Sequence, residues 1–153
     1  MSLTIIAPSR LGIRGHDDYG SGAFGAARKR HSAGAEEHAI LKYAHKGADW
    51  IVVPGDLIPA PAHVRQTLYG LAYPEDNRFH SIHLELIEDM AWQLKLLYCW
   101  NTAHLLQEFE AGQPLAIAEN IALRYPGITR HVHLEVRHLG ILVDPMTLLA
   151  VSA

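Results

Sequence analysis

The sequence is poor in cysteine. Cys99 stands alone, so no disulfide can close within the chain and no cysteine-rich metal site can be built. A single Cys in an apolar run reads as a small buried hydrophobe rather than a nucleophile. Long apolar runs are also missing. No stretch approaches the length of a transmembrane helix, and Met1 to Arg14 lacks the charged start and long apolar middle of a signal peptide. No membrane contact is expected, and the chain reads as cytoplasmic as synthesised. Neither sign of charge dominates: 13 Lys and Arg against 16 Asp and Glu leave a net charge of −3, which excludes the basic footprint of a nucleic-acid binder. The short cluster Arg28-Lys29-Arg30-His31 does not change that reading. Two catalytic signatures are absent, the helical zinc motif H-E-x-x-H and the serine-hydrolase elbow G-x-S-x-G. Gly20-x-Gly22-x-x-Gly25 spells the dinucleotide fingerprint, but no buried strand precedes it, so these glycines read as flexible loop that can frame the site.

What is present fits one globular domain spanning 1–153. The chain has 153 residues, about half of them apolar and a fifth charged, enough for a core without staples. Trp50-Ile51-Val52-Val53 is a β-branched run stopped by Pro54-Gly55. Ile82, Leu84 and Leu86 alternate with polar residues; after a turn at Glu88-Asp89, the alternation resumes with Trp92, Leu94, Leu96, Tyr98 and Trp100. This pattern predicts a β-hairpin over a helix across 84–97. Leu3–Ala7, Leu57–Ala60 and Pro114–Ala118 are further short strand candidates. The sequence therefore predicts a mainly β fold built on an antiparallel sheet. The stretch 28–44 is compatible with one short helix or with an ordered loop.

Eleven histidines are the positive signal. In His45-Lys46-Gly47-Ala48-Asp49, an imidazole and a carboxylate four residues apart can converge on one cation, and Gly47 allows close approach. In His131-Val132-His133, positions i and i+2 of a strand face the same way, while Val132 and Leu134 enter the core. One of these histidines can ligate a metal and the other can reach water beside it. Together His45, Asp49 and His133 supply three ligands and leave a fourth tetrahedral position open, the mark of a catalytic rather than structural zinc site. His80 and His83, three apart on a strand, face opposite sides and do not converge. His16, His38, His63 and His138 read as surface or structural.

At this point the chain resembles the lysostaphin/LytM-type zinc endopeptidases. His45-x-x-x-Asp49 followed by His131-x-His133-Leu134-Glu135 looks like their signature. Gly22-Ala23-Phe24-Gly25-Ala26, Ile51-Val52-Val53-Pro54-Gly55-Asp56, Ala111-Gly112-Gln113-Pro114-Leu115 and Val143-Asp144-Pro145 resemble accompanying segments in the expected order, from about Gly20 to Leu149. The resemblance implies long loops framing a groove, one Zn2+ held by His45, Asp49 and His133, and His131 beside it as general base or transition-state stabiliser. It implies a peptidoglycan peptide as substrate, met at the cell wall after release or export. Glu135, on the same strand face, is a candidate to orient a ligand imidazole. Members carry a further histidine in a Tyr-x-His-Leu segment. Here Tyr98-Cys99-Trp100-Asn101 places Trp100 at that position, and His104 is the alternative. A catalytically inactive domain of the same fold is the second reading; a cupin-like metal protein is a distant third, since no histidine follows His138.

Overall fold

The computed structural model describes residues 2–31 and 40–150. Its strands are β1 (Ala27–His31), β2 (Ile40–Ala44), β3 (Ala48–Ile51), β4 (Leu57–Pro59), β5 (Val64–Tyr73), β6 (Asp76–Leu86), β7 (Trp92–Leu97), β8 (Cys99–Trp100), β9 (Glu108–Phe109), β10 (Pro114–Ala118), β11 (His131–His138) and β12 (Ile141–Val143). Helical structure among the described residues is confined to two 3₁₀ turns, Ile121–Leu123 and Pro145–Leu148. The main sheet runs β12-β11-β7-β6-β5-β9, with β3 also pairing β11, and every pairing in it is antiparallel. A smaller sheet, β4-β10-β8, and the β1-β2 pair complete the framework. The fold is mainly β, as the alternating sequence requires.

The period-2 runs explain the register. Leu134 pairs with Leu96 and Leu96 with Ile82; Val136 pairs with Leu94 and Leu94 with Leu84. All six are buried, with Trp50, Val132 and Leu86 in the same cluster. Burying each such side chain contributes about 1.5–3 kcal/mol, which fixes the sheet's apolar face. The alternate positions (His133, Glu135 and Arg137 on β11; Lys95 and Gln93 on β7; His83 and Glu85 on β6) form the polar face. The Glu88-Asp89 turn is built as expected: the Asp89 carbonyl accepts from the Trp92 N–H and its side chain from the Ala91 N–H.

Three expectations are revised. The stretch 28–44 carries strand at both described ends: β1 and β2 pair in antiparallel register from Ala27↔Ala44 to His31↔Ile40. The centre of the helix reading, 32–39, lies outside the described residues. Leu3–Ala7 forms no ladder; Ile5 makes an isolated parallel bridge to Leu149 while Leu3 and Ile5 sink into the core. The alternation from Trp92 to Trp100 is not one strand. Tyr98 takes a left-handed φ of 72°, which ends β7, and β8 then pairs with β10 instead.

Candidate metal centre

The antiparallel ladder of β3 and β11 sets His133 opposite Asp49 and His131 opposite Ile51. This places Asp49, His131 and His133 on one side of the sheet. His45 reaches the same point from the turn between β2 and β3. That turn passes very close to β11: a Cβ added at Gly47 would lie 2.2 Å from the Leu134 carbonyl oxygen and 2.9 Å from His133 Nε2. Only glycine fits there, and what requires it is the backbone of β11 at Leu134 rather than the approach to a cation that the sequence suggests.

Three donor atoms converge. His45 Nε2 lies 3.0 Å from His133 Nδ1, His133 Nδ1 lies 2.8 Å from Asp49 Oδ1, and His45 Nε2 lies 3.2 Å from Asp49 Oδ1. All three residues are buried. Their other polar atoms have partners that fix the tautomers. His45 Nδ1–H donates to the Ala23 carbonyl at 3.1 Å. His133 Nε2–H donates to Glu135 Oε1 at 3.1 Å. In the neutral rings, the nitrogens facing Asp49 Oδ1 therefore carry lone pairs. Two lone pairs and an anionic oxygen that face one another, buried, call for a cation. Ligands of a tetrahedral zinc bonded at about 2.0–2.1 Å stand roughly 3.3–3.4 Å apart, close to the spacing here. The donor set fits zinc. Glu135 is the orienting acceptor for His133, as its strand position indicated.

Electrostatics support the same reading. Burial would raise the Asp49 carboxyl, but a proton on the imidazoles that face it, His133 first and then His45 and His131, outweighs it and holds the carboxyl below the ordinary range. A cation at this point would supply the same positive charge with the rings neutral. For Glu135, burial is likewise outweighed by His133, and its carboxyl is held down to about 2. Burial disfavours the His133 cation, yet Asp49 and Glu135 together pull its pKa up; that pull acts on any positive charge at this point. His131 differs: burial dominates and lowers its pKa despite Asp49. Its Nδ1–H donates to the Thr129 carbonyl at 2.7 Å, so Nε2, 3.4 Å from Asp49 Oδ2, is the basic nitrogen facing the cluster.

A cavity of about 380 Å³ opens over these residues, walled by Tyr19, Tyr73, Tyr98, Tyr125 and Ile128. The Tyr125 hydroxyl donates to that of Tyr73 at 3.1 Å, and the Tyr73 and Tyr98 hydroxyls lie 3.0 Å apart. The Tyr98 ring meets the His131 ring edge-on at 5.4 Å. The left-handed turn at Tyr98 brings this side chain to the cavity. Strict alternation would have sent it to the core.

His104 is not brought to the cluster. It is exposed on the loop after β8, where its Nδ1–H donates to the adjacent Leu105 carbonyl. Trp100 is 38% exposed and does not line the cavity. His80 and His83 stay apart, His80 against Glu119 and His83 beside Lys95. Cys99 is buried, and burial pushes its thiol pKa up, in keeping with a packing role. Sequence reasoning missed Arg14 and Asp17, whose contacts reach Asp49 and Thr129. It also missed the three linked tyrosines, spread over 52 residues of chain. No local spacing signals either group.

No family model and no curated protein matches the chain. Solved structures do. Helicobacter pylori Csd3 aligns over 99% of this chain and 36% of its own, at 15% identity and a TM-score of 0.66. Lysostaphin aligns over 96% of this chain and 58% of its own, at 12% identity and a TM-score of 0.58. A Pseudomonas aeruginosa structure assigned to peptidase M23 aligns over 94% of this chain and 52% of its own, at 19% identity and a TM-score of 0.51. The chain therefore has the fold of the LytM/M23 peptidase-like structures and spans between about a third and three-fifths of their lengths.

Proposed function

We propose that the protein is a zinc-dependent endopeptidase that hydrolyses peptide cross-links of peptidoglycan, acting at the bacterial cell wall after release or export. The observation that carries this is the convergence of His45 Nε2, Asp49 Oδ1 and His133 Nδ1, with each imidazole's remaining N–H held by an acceptor. The likeness to lysostaphin and to the M23 peptidase structure supports the peptidase class. The wall substrate follows from the family resemblance of the motifs.

His45, Asp49 and His133 would hold zinc, which would supply Lewis acidity toward a peptide carbonyl and water. The chain's own residues do the rest. His131 is kept neutral by burial and held by the Thr129 carbonyl. Its Nε2 takes the proton from the attacking water and later delivers it to the leaving amine. The tyrosine-walled cavity seats the peptide beside the cluster.

A second reading, metal binding without turnover, is favoured by one feature: Trp100 stands where the family's additional histidine is expected, and His104 does not take its place. Elemental analysis of the wild type beside His45→Ala and His133→Ala tests the site. We expect about one zinc in the wild type, lost in both variants, together with clearing of a peptidoglycan suspension that both variants and His131→Ala lack. Zinc without clearing selects the second reading; a wild type that takes up no zinc after reconstitution overturns both.

A further inference from the structure

We infer that Arg14, locked by Asp17, is a positioning residue: it occupies one oxygen of Asp49 so that only the other can face the cation, and the same lock aligns His131. The inference rests on the metal site proposed above.

A carboxylate ligand is ambiguous, because either oxygen or both can bind a cation. Here the ambiguity is removed. Arg14 NH1 donates to Asp49 Oδ2 at 2.7 Å, and Oδ1 is left as the atom within 2.8 Å of His133 Nδ1 and 3.2 Å of His45 Nε2. Arg14 and Asp49 are each 2% exposed, so the pair is shielded from the water that makes surface ion pairs weak.

Arg14 cannot easily swing away. Its Nε and NH2 donate to the two oxygens of Asp17, both at 2.9 Å, a bidentate fork that a lysine cannot reproduce. NH2 also donates to the Gly20 carbonyl. The backbone closes around the pair. The Arg14 N–H donates to the Asp49 carbonyl, the Asp49 N–H to the Gly22 carbonyl, and the Gly22 N–H to the Arg14 carbonyl. Gly22 lies at the contact itself, where a Cβ would sit 2.6 Å from the Arg14 carbonyl oxygen and 3.1 Å from Asp49 Cβ. This gives one glycine of the loop fingerprint a structural task.

The lock extends to the base. Asp17 Oδ2 accepts the Thr129 N–H at 3.0 Å, and the Thr129 carbonyl accepts His131 Nδ1–H at 2.7 Å. One salt-bridged pair thus holds the ligand Asp49 directly and the ring of His131 through a single residue.

The test uses Co2+ as a spectroscopic substitute for zinc, with affinity read by competition against a chelating dye. Wild type, Arg14→Gln, Arg14→Lys and Asp17→Asn are compared, each first shown folded by near-ultraviolet circular dichroism. The wild type should bind one Co2+ with the intense visible bands of a four-coordinate site. Arg14→Gln should bind about 10–100-fold more weakly, the usual cost of losing an outer partner of a metal ligand. Its bands should weaken as Asp49 presents both oxygens and the coordination number rises. Arg14→Lys should recover part of the affinity but not the full spectrum. Asp17→Asn keeps Arg14 but breaks its fork, giving a smaller shift in the same direction, and serves if Arg14→Gln does not fold. Wild-type affinity and an unchanged spectrum in the folded variants would overturn the inference while leaving the metal site standing. A wild type that binds neither Co2+ nor zinc would overturn the site itself.

Discussion

Consider Gly47→Ala. The added Cβ would stand 2.2 Å from the Leu134 carbonyl oxygen and 2.8 Å from its carbon. Ordinary contact begins near 3.4 Å, so the 45–49 segment and β11 must part by about 1 Å. Overpacking of this kind typically costs about 1–3 kcal/mol. Here the obstacle is backbone in a buried strand rather than the tip of a flexible side chain, so about 3 kcal/mol is expected. The same displacement pushes on His133, whose Nε2 would lie 2.9 Å from the new carbon, and opens the 2.8 Å approach of His133 to Asp49. Zinc affinity should fall at least about tenfold, since ligand geometry sets it. Urea unfolding in the presence of a chelator measures the first effect without the metal, and dye competition for zinc measures the second. Gly70→Ala is the control: its Cβ would meet only Ser81 Oγ, at 3.6 Å, and little change is expected. A Gly47→Ala protein with a wild-type urea midpoint and wild-type zinc affinity would refute the packing argument.

Three further outcomes follow from the site. Glu135→Gln keeps an acceptor for His133 Nε2–H but removes the charge beside it, and zinc binding should weaken about tenfold in the dye competition. Asp17 has burial raising its pKa, outweighed by Arg14 and the Thr129 and Tyr19 amides, so its folded-state value lies below the ordinary carboxyl value. Its stabilisation is therefore present in full above about pH 4 and is lost as the pH falls through that lower value. Asp17→Asn should lose about 2 kcal/mol near neutral pH, with the gap to wild type closing in acid, as followed by urea titrations across pH. Chelation should lower the melting temperature of the wild type but leave that of His45→Ala unmoved, because a ligand stabilises only a protein that binds it.

The legible parts of the sequence were those in which one periodicity or one short motif carried the physics. Alternation over 82–86 and 92–97 gave β6 and β7 and their hairpin. His131-x-His133 gave a strand with its histidines on one side. Val64–Tyr73 escaped notice because a bulge between Gln66 and Leu68 breaks its alternation. Tyr98 escaped because a left-handed residue resets the faces of the strand. His104 is suggested by the family's Tyr-x-His-Leu segment, and that likeness does not show that its loop leaves the side chain exposed. Arg14 was invisible for a different reason. Its partner Asp49 is 35 residues away, and an arginine in a glycine-rich loop has no pattern to announce it.

The pairing of β3 with β11 has a consequence for how such a chain changes over time. The register that seats Trp50 against Val132 in the core is the register that sets Asp49 opposite His133. A slip of one residue would turn Asp49 and His133 inward and the core residues out, so selection for a folded protein preserves this alignment whether or not a metal is bound. Substitutions at His45, Asp49 or His133 would remove the proposed metal site while the socket persists. Substitutions that restored those side chains would find their positions already kept for them by the packing of the other face.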